Sequence, residues 1–157
     1  MTNGVAEAVG RCLEEQFRII HQTAMRDTPL CNDVLRVEAI GFQPFDGQVL
    51  GVIVTPWFMN LVLAPLPDHD FPEGRVGDRR TLALPAGQVD FMIGELPGFG
   101  RLDTCSLFSP VFDFLDQQTF HDTAVAVLAA LFEAPPQHQV EVGVSRRNLL
   151  RGKTVGA

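Results

Sequence analysis

Val5, Val9, Leu13, Phe17, Ile20 and Ala24 recur at the three- and four-residue spacing that gathers side chains on one side of a helix, while Glu14, Glu15 and Arg18 are left to face water. Residues from about 4 to 26 are therefore predicted to form an amphipathic helix that packs on a sheet. "DTPLC" breaks this pattern. From Leu35 the period changes to two, with Leu35, Val37 and Ala39 alternating with Arg36, Glu38 and Ile40, as in a strand with one face in water. The "FDGQ" of Phe45–Gln48 places an Asp-Gly pair between apolar runs, a strong hairpin signal, so the first two strands are expected to be antiparallel.

Val49 to Leu66 runs for 18 residues without a charge, the lower limit for crossing a bilayer. Pro56 lies near its middle, Gly51 and Asn60 interrupt it, and "VLGVIVT" and "FMNLVLA" are rich in β-branched and other apolar residues. Two buried strands joined by a turn at Thr55-Pro56 are the better reading. Residues 65–80, dense in proline, glycine and charge, are expected to be a surface loop and a candidate binding element. "TLALP", "QVDFMIGEL" and "RLDTCSLF" then read as a three-stranded meander that Ser109-Pro110 ends. Asp116 is placed to cap a last helix with the apolar stripe Phe120, Ala124, Val127, Leu128 and Leu131, and Pro135-Pro136 to stop it. The expected fold is α+β: one domain over residues 1–157, a mainly antiparallel sheet of about five or six strands packed with an N-terminal and a C-terminal helix.

Charge changes the picture once it is divided by position. The chain holds 12 Lys and Arg against 19 Asp and Glu, and its last 13 residues contain Arg146, Arg147, Arg151 and Lys153 with no acid. Residues 1–144 therefore carry a net charge of −11, and residues 145–157 form a basic tail. An acidic body disfavours nucleic acid and anionic lipid, and a basic polypeptide becomes the expected partner. Cys12, Cys31 and Cys105 are odd in number and form no C-x-x-C pair, so neither a disulfide framework nor a zinc ribbon is written here. "MTNGVAEAVG" has neither the basic nor the apolar region of a secretory signal, and a cytoplasmic location without membrane insertion is expected.

Candidate chemistry is sparse. His21, His69, His121 and His138 are scattered, and none takes part in an H-E-x-x-H spacing. "DHD" at Asp68–Asp70 is the best local group of hard ligands, but three consecutive residues seldom converge on one ion. Cys105-Ser106 with His121 on the next helix supplies a nucleophile and a base without a G-x-S-x-G elbow or a cysteine-protease signature, and a structural Cys105 is the simpler account. "GFG" at Gly98–Gly100 connects two strands, where a dinucleotide site needs a strand and then a helix. No catalytic residue, metal site or cofactor is predicted, and the chain is not read as an enzyme.

Three blocks carry a resemblance. "TPWFMNLVL" at Thr55–Leu63, "LPAGQVDFMIGELPGFG" at Leu84–Gly100 and "CSLFSPV" at Cys105–Val111 resemble, in order and spacing, the HybE/HupJ family of nickel-iron hydrogenase assembly chaperones, over about residues 10–152. The resemblance implies a small cytoplasmic accessory protein that holds hydrogenase subunits until their cofactors are in place. Its implied partners are the small, iron-sulfur subunit precursor with its twin-arginine signal, the large subunit, or other maturation proteins. A scaffold or cofactor-protecting role on the large subunit is the alternative, and a nickel or iron metallochaperone a weaker one, since no Cys/His cluster is present. The family supplies no catalytic set; the matching positions are Pro56, Trp57, Gly87, Phe91, Gly94, Glu95, Leu96, Cys105, Ser106, Ser109 and Pro110.

Among these, Gly87, Gly94 and Pro110 suit turns, bulges and a strand end. Trp57 suits the core or an anchor at a binding rim, together with its neighbour Phe58. Glu95, a carboxylate in an apolar strand, either pairs internally or meets a ligand's guanidinium. Asp68 and Asp70 in the long loop, and Arg146 and Arg147 in the tail, complete the partner-binding candidates. The tail run "SRRNLLRGK" itself reads like a twin-arginine signal, yet only "GKTVGA" stands where the apolar segment of such a signal belongs. Two readings stay open: a structural tail with Leu149 and Leu150 docked on the core, or a segment that occupies the groove of a client's signal.

Overall fold

The computed structural model describes residues 2–66 and 73–133. Its first helix, α1 (Thr2–Thr23), buries Ala6, Gly10, Leu13 and Phe17, with Val9 and Ile20 partly covered, as the spacing demands. Val5 and Ala24 stay exposed: Val5 lies in the first turn, and Ala24 follows the helix end. Glu14 is not left to water. Its carboxylate accepts a 2.8 Å hydrogen bond from Ala39 N and another of 2.8 Å from Arg18, so it covers a backbone donor on the outer side of the first strand.

Three strands follow as two tight hairpins: β1 (Glu38–Phe45), β2 (Gln48–Thr55) and β3 (Phe58–Pro65). The Asp-Gly turn closes the first with Phe45 opposite Gln48, and Pro56-Trp57 closes the second with Thr55 opposite Phe58. The uncharged run is thus a pair of strands, and no helix among the described residues is long and apolar enough to cross a membrane. β4 (Arg79–Leu84) and β5 (Gly87–Met92) make a third hairpin; β6 (Glu95–Leu96) and β7 (Gly100–Arg101) form a small separate sheet; β8 (Asp103–Phe108) returns to the main one. The six-stranded order is β1-β2-β3-β8-β5-β4, antiparallel throughout. Two three-stranded meanders therefore meet where β8 lies beside β3. The last helix, α2 (Gln117–Leu131), starts at the Asp116 cap and ends at Phe132; the Pro135-Pro136 stop lies outside the described residues.

The two helices cover opposite faces of the sheet. On β2, Val49 and Ile53 pack with Leu13 and Phe17 of α1, while Leu50, Val52 and Val54 pack with Phe120, Ala124 and Leu128 of α2. Every residue of β2 is buried, which explains the uncharged run: a strand covered on both faces has no place for a charge. Each fully buried Leu, Ile or Val side chain stabilises the fold by roughly 1.5–3 kcal/mol. This arrangement also corrects the expectation for Ile40. The two-residue alternation set it with the water-facing residues, but its face lies under α2 and it is 4% exposed.

Glycine makes the close helix packing possible. Gly41 sits at φ +67° in the irregularity between Ile40 and Gln43, and a Cβ there would come 2.4 Å from Leu128 Cδ1 of α2. On the other face, the Phe42 ring fills the space that side chains on Gly10 of α1 and Gly51 of β2 would occupy, at 2.9 Å and 2.4 Å. Opposite the β2–β3 turn, Asp103 is fully buried at the start of β8. It accepts hydrogen bonds from Arg80 at 3.1 Å and Arg101 at 2.6 Å, and Arg80 also donates to Gln48. This cluster joins β2, β4, β7 and β8 where the two meanders meet.

Candidate functional site

One end of the sheet collects most of the features that a binding surface needs. The β2–β3 turn, the end of β8, the loop 109–116, the start of α2 and the connection 24–37 all meet there, and Asn32 holds them together. Its backbone N–H donates to Pro56 O at 2.8 Å, and its side-chain amide donates to Val111 O at 3.1 Å and Phe114 O at 2.9 Å. Three segments without regular structure thus share one asparagine.

The first turn of α2 is fixed just as closely. Asp116 accepts from Thr119 N at 2.7 Å, and the backbone and hydroxyl hydrogen bonds of Thr119 hold its carboxyl below the usual carboxylate range. Gln117 is buried and bridges to β1: its Oε1 accepts from Arg36 N at 2.8 Å and its Nε2 donates to Glu38 Oε1 at 2.9 Å. His121 Nδ1 lies 2.8 Å from Glu38 Oε2. That geometry turns His121 to a structural carboxylate, while Cys105 is half-buried on β8. Cys31 is likewise built into a turn, its thiol donating to Met25 O at 3.1 Å. Among the described residues no group of three or more His, Cys, Asp or Glu is arranged to hold a metal ion.

On this braced frame, large apolar side chains point outward. Leu115 is 83% exposed and Phe112 50%, and Leu30, Val34 and Phe108 are exposed on the neighbouring segments. Phe114 anchors the loop from beneath, edge-on to Phe108 at 5.4 Å and 4.7 Å from the Phe120 ring of α2. A loop that presents leucine and phenylalanine to water while its backbone is tied down in three places is organised for contact with another molecule. Its charge has one sign: Asp113 and Asp116 lie in the loop and Asp122 on the second turn of α2, and residues 102–133 contain no Lys or Arg; the other two acids of that span, Asp103 and Glu133, stand at the far ends of β8 and α2. Asp113 and Asp116 are exposed beside the apolar side chains. The connection 24–37 is balanced, with Arg26 and Arg36 against Asp27 and Asp33.

Trp57 and Phe58 border this end. Both are half-buried and face α1, with Phe58 edge-on to Phe17 at 5.6 Å and Trp57 5.8 Å from the His21 ring. Trp57 is thus only partly core: one edge packs against α1 and the remainder is accessible. Glu95 is found elsewhere. The apolar strand assigned to it ends at Met92, and Glu95 lies exposed on β6, opposite Arg101 of β7 in the register. The small hairpin packs Leu96 and Phe99 on the α1 side of the core. Asp68, Asp70, Arg146 and Arg147 lie outside the described residues. Sequence reasoning missed Phe112, Leu115, Leu30 and Val34, for which the available signal was an unusual density of large apolar residues in turn-rich segments.

Comparison with known proteins gives concordant results. The family model for the NiFe-hydrogenase assembly chaperone HybE matches residues 8–152. The hydrogenase expression/formation protein HupJ of Bradyrhizobium diazoefficiens is 42% identical over 154 residues, covering 94% of this chain and 89% of that protein. HupT of Azotobacter chroococcum, also named a hydrogenase expression/formation protein, is 35% identical over 92% of this chain and 95% of its own. The solution structure of HybE from Escherichia coli superposes with a TM-score of 0.66 at 27% identity, over 81% of this chain and 78% of that one.

Proposed function

The chain belongs to the HybE family of NiFe-hydrogenase assembly chaperones, and from that premise we propose that its client is the signal-bearing precursor of the hydrogenase small subunit, held through the apolar end of the sheet. The observation that carries the proposal is the braced loop 109–116, with Phe112 and Leu115 exposed beside Asp113 and Asp116 and with no Lys or Arg between residues 102 and 133. A twin-arginine signal joins a basic pair to an apolar run, and this surface offers the complement of both.

In this reading Phe112, Leu115, Leu30 and Val34 cover the apolar run, Trp57 and Phe58 supply a rigid aromatic border, and the acidic side chains receive the guanidinium groups. Glu95, exposed on the small hairpin beyond this end, is proposed as an acceptor for client arginines outside the signal's pair, as are Asp68 and Asp70. The chaperone would act in the cytoplasm, on the precursor before export, without chemistry of its own. Aromatic and aliphatic contacts supply affinity, and the acids select for arginine and raise the encounter rate.

Co-purification tests the proposal. The tagged chain is expressed with the small-subunit precursor, with the same subunit lacking its signal, and with the large subunit alone. Retention of the precursor and loss of the signal-less form is the expected pattern. Retention of the large subunit without any signal-bearing partner would instead support the scaffold or cofactor-protecting role.

A further inference from the structure

We propose that the chain's own basic tail, residues 145–157, docks on the acidic apolar end and competes there with a client. The inference rests on the proposed function for the competitor but not for the contact itself. Three observations converge on it. The tail contains Arg146, Arg147, Arg151 and Lys153 and no acid, and the loop and the first turns of α2 present Asp113, Asp116 and Asp122 with no Lys or Arg among them. The tail also carries Leu149 and Leu150 one residue beyond its arginine pair, so it pairs basic with apolar groups as the surface pairs acidic with apolar ones. Finally, the distance can be spanned. α2 begins at the apolar end and runs 15 residues away from it, about 22 Å. Thirteen residue steps separate Glu133 from Arg146, enough for up to roughly 43 Å of extended chain.

Tethering makes even a weak contact effective. A segment joined by a linker of this length works at an effective concentration of about 1 mM. If the tail binds in trans with a dissociation constant of about 0.1 mM, it weakens any competitor roughly tenfold. A client whose signal makes more apolar contacts than Leu149 and Leu150 displaces it, whereas short or weakly basic peptides do not. The tail would thus raise selectivity by excluding weak competitors from an exposed apolar surface.

The test uses the full-length chain and its R146Q/R147Q variant, with thermal unfolding as a check that both are folded. Trp57 is the one tryptophan of the sequence and reports on the border of the surface by fluorescence. A synthetic peptide of residues 145–157 should bind R146Q/R147Q and bind the native chain about tenfold more weakly, and Asp113→Lys should abolish binding to both. A small-subunit signal peptide should bind R146Q/R147Q about tenfold more tightly than the native chain. Absence of tail-peptide binding to R146Q/R147Q at millimolar concentration, or equal affinity of the signal peptide for both chains, would overturn the inference, and the latter result would leave the proposed function standing. Tail-peptide binding without any signal-peptide binding would support the contact and remove the proposed client instead.

Discussion

Asn32 donates its backbone N–H to the carbonyl of Pro56 at 2.8 Å, which links the α1–β1 connection to the turn that carries Trp57. The same residue holds Val111 and Phe114 through its side chain, so one amide positions both halves of the proposed surface. Replacing Asn32 with Ala removes the donors of two loop carbonyls and should cost about 1–3 kcal/mol. Thermal unfolding should register the loss, and client capture should fall further than a shift in stability accounts for. Unchanged capture by a folded Asn32→Ala chain would mean that the loop needs no bracing.

Asp103 offers a separate test of how the sheet is joined. It is fully buried between Arg80 and Arg101, so Asp103→Ala leaves two guanidinium groups without their carboxylate and should destabilise the chain by about 3–5 kcal/mol in urea unfolding. Because the cluster lies at the opposite end of β8 from Phe108, whatever folded protein remains should still bind the client.

The approach of α2 to the sheet depends on Gly41. Gly41→Ala places a side chain at φ +67° and 2.4 Å from Leu128, and the conformation alone costs about 1–2 kcal/mol. Trimming Leu128 to Ala should relieve the contact but not the backbone strain. A double-mutant cycle should therefore show the pair less destabilising than the sum of the single changes.

Asp116 gives the helix a pH dependence of known sign. Hydrogen bonds from Thr119 lower its folded pKa, so the cap is present above the ordinary value of 3.8 and is lost as pH falls through the lower folded value. Asp116→Asn keeps an N-cap acceptor without the titration. The difference in stability between native chain and variant should therefore shrink as pH drops below about 4; a constant difference would remove the cap's ionisation from the account.

Much of this architecture was legible from periodicity. The α1 stripe, the Asp-Gly hairpin, the two strands hidden in an uncharged run and the Asp116 cap are local features, and local physics writes them plainly. What escaped depended on distant neighbours. Ile40 looked exposed because a two-residue alternation implies one dry face, whereas β1 is covered on both sides. Glu95 looked like part of the same strand as Phe91 because "QVDFMIGEL" is continuous; the chain leaves the main sheet after Met92, where Ile93 N turns to Asp78 O and Gly94 O receives Leu102 N, and Glu95 belongs to a second, two-stranded sheet. Phe112 and Leu115 went unnoticed for the opposite reason, since apolar residues in sequence default to the core, and only tertiary structure shows two of them held outward.

Whether the apolar end of the sheet holds the client is decided by a calorimetric titration of the small-subunit signal peptide, with its arginine pair intact or changed to lysines, into the full-length chain and into its Leu115→Glu variant. Binding should be weakened by the lysine exchange and lost in Leu115→Glu, with the variant still folded. Equal binding by native chain and variant would place the client elsewhere on the molecule and contradict the assignment of this surface.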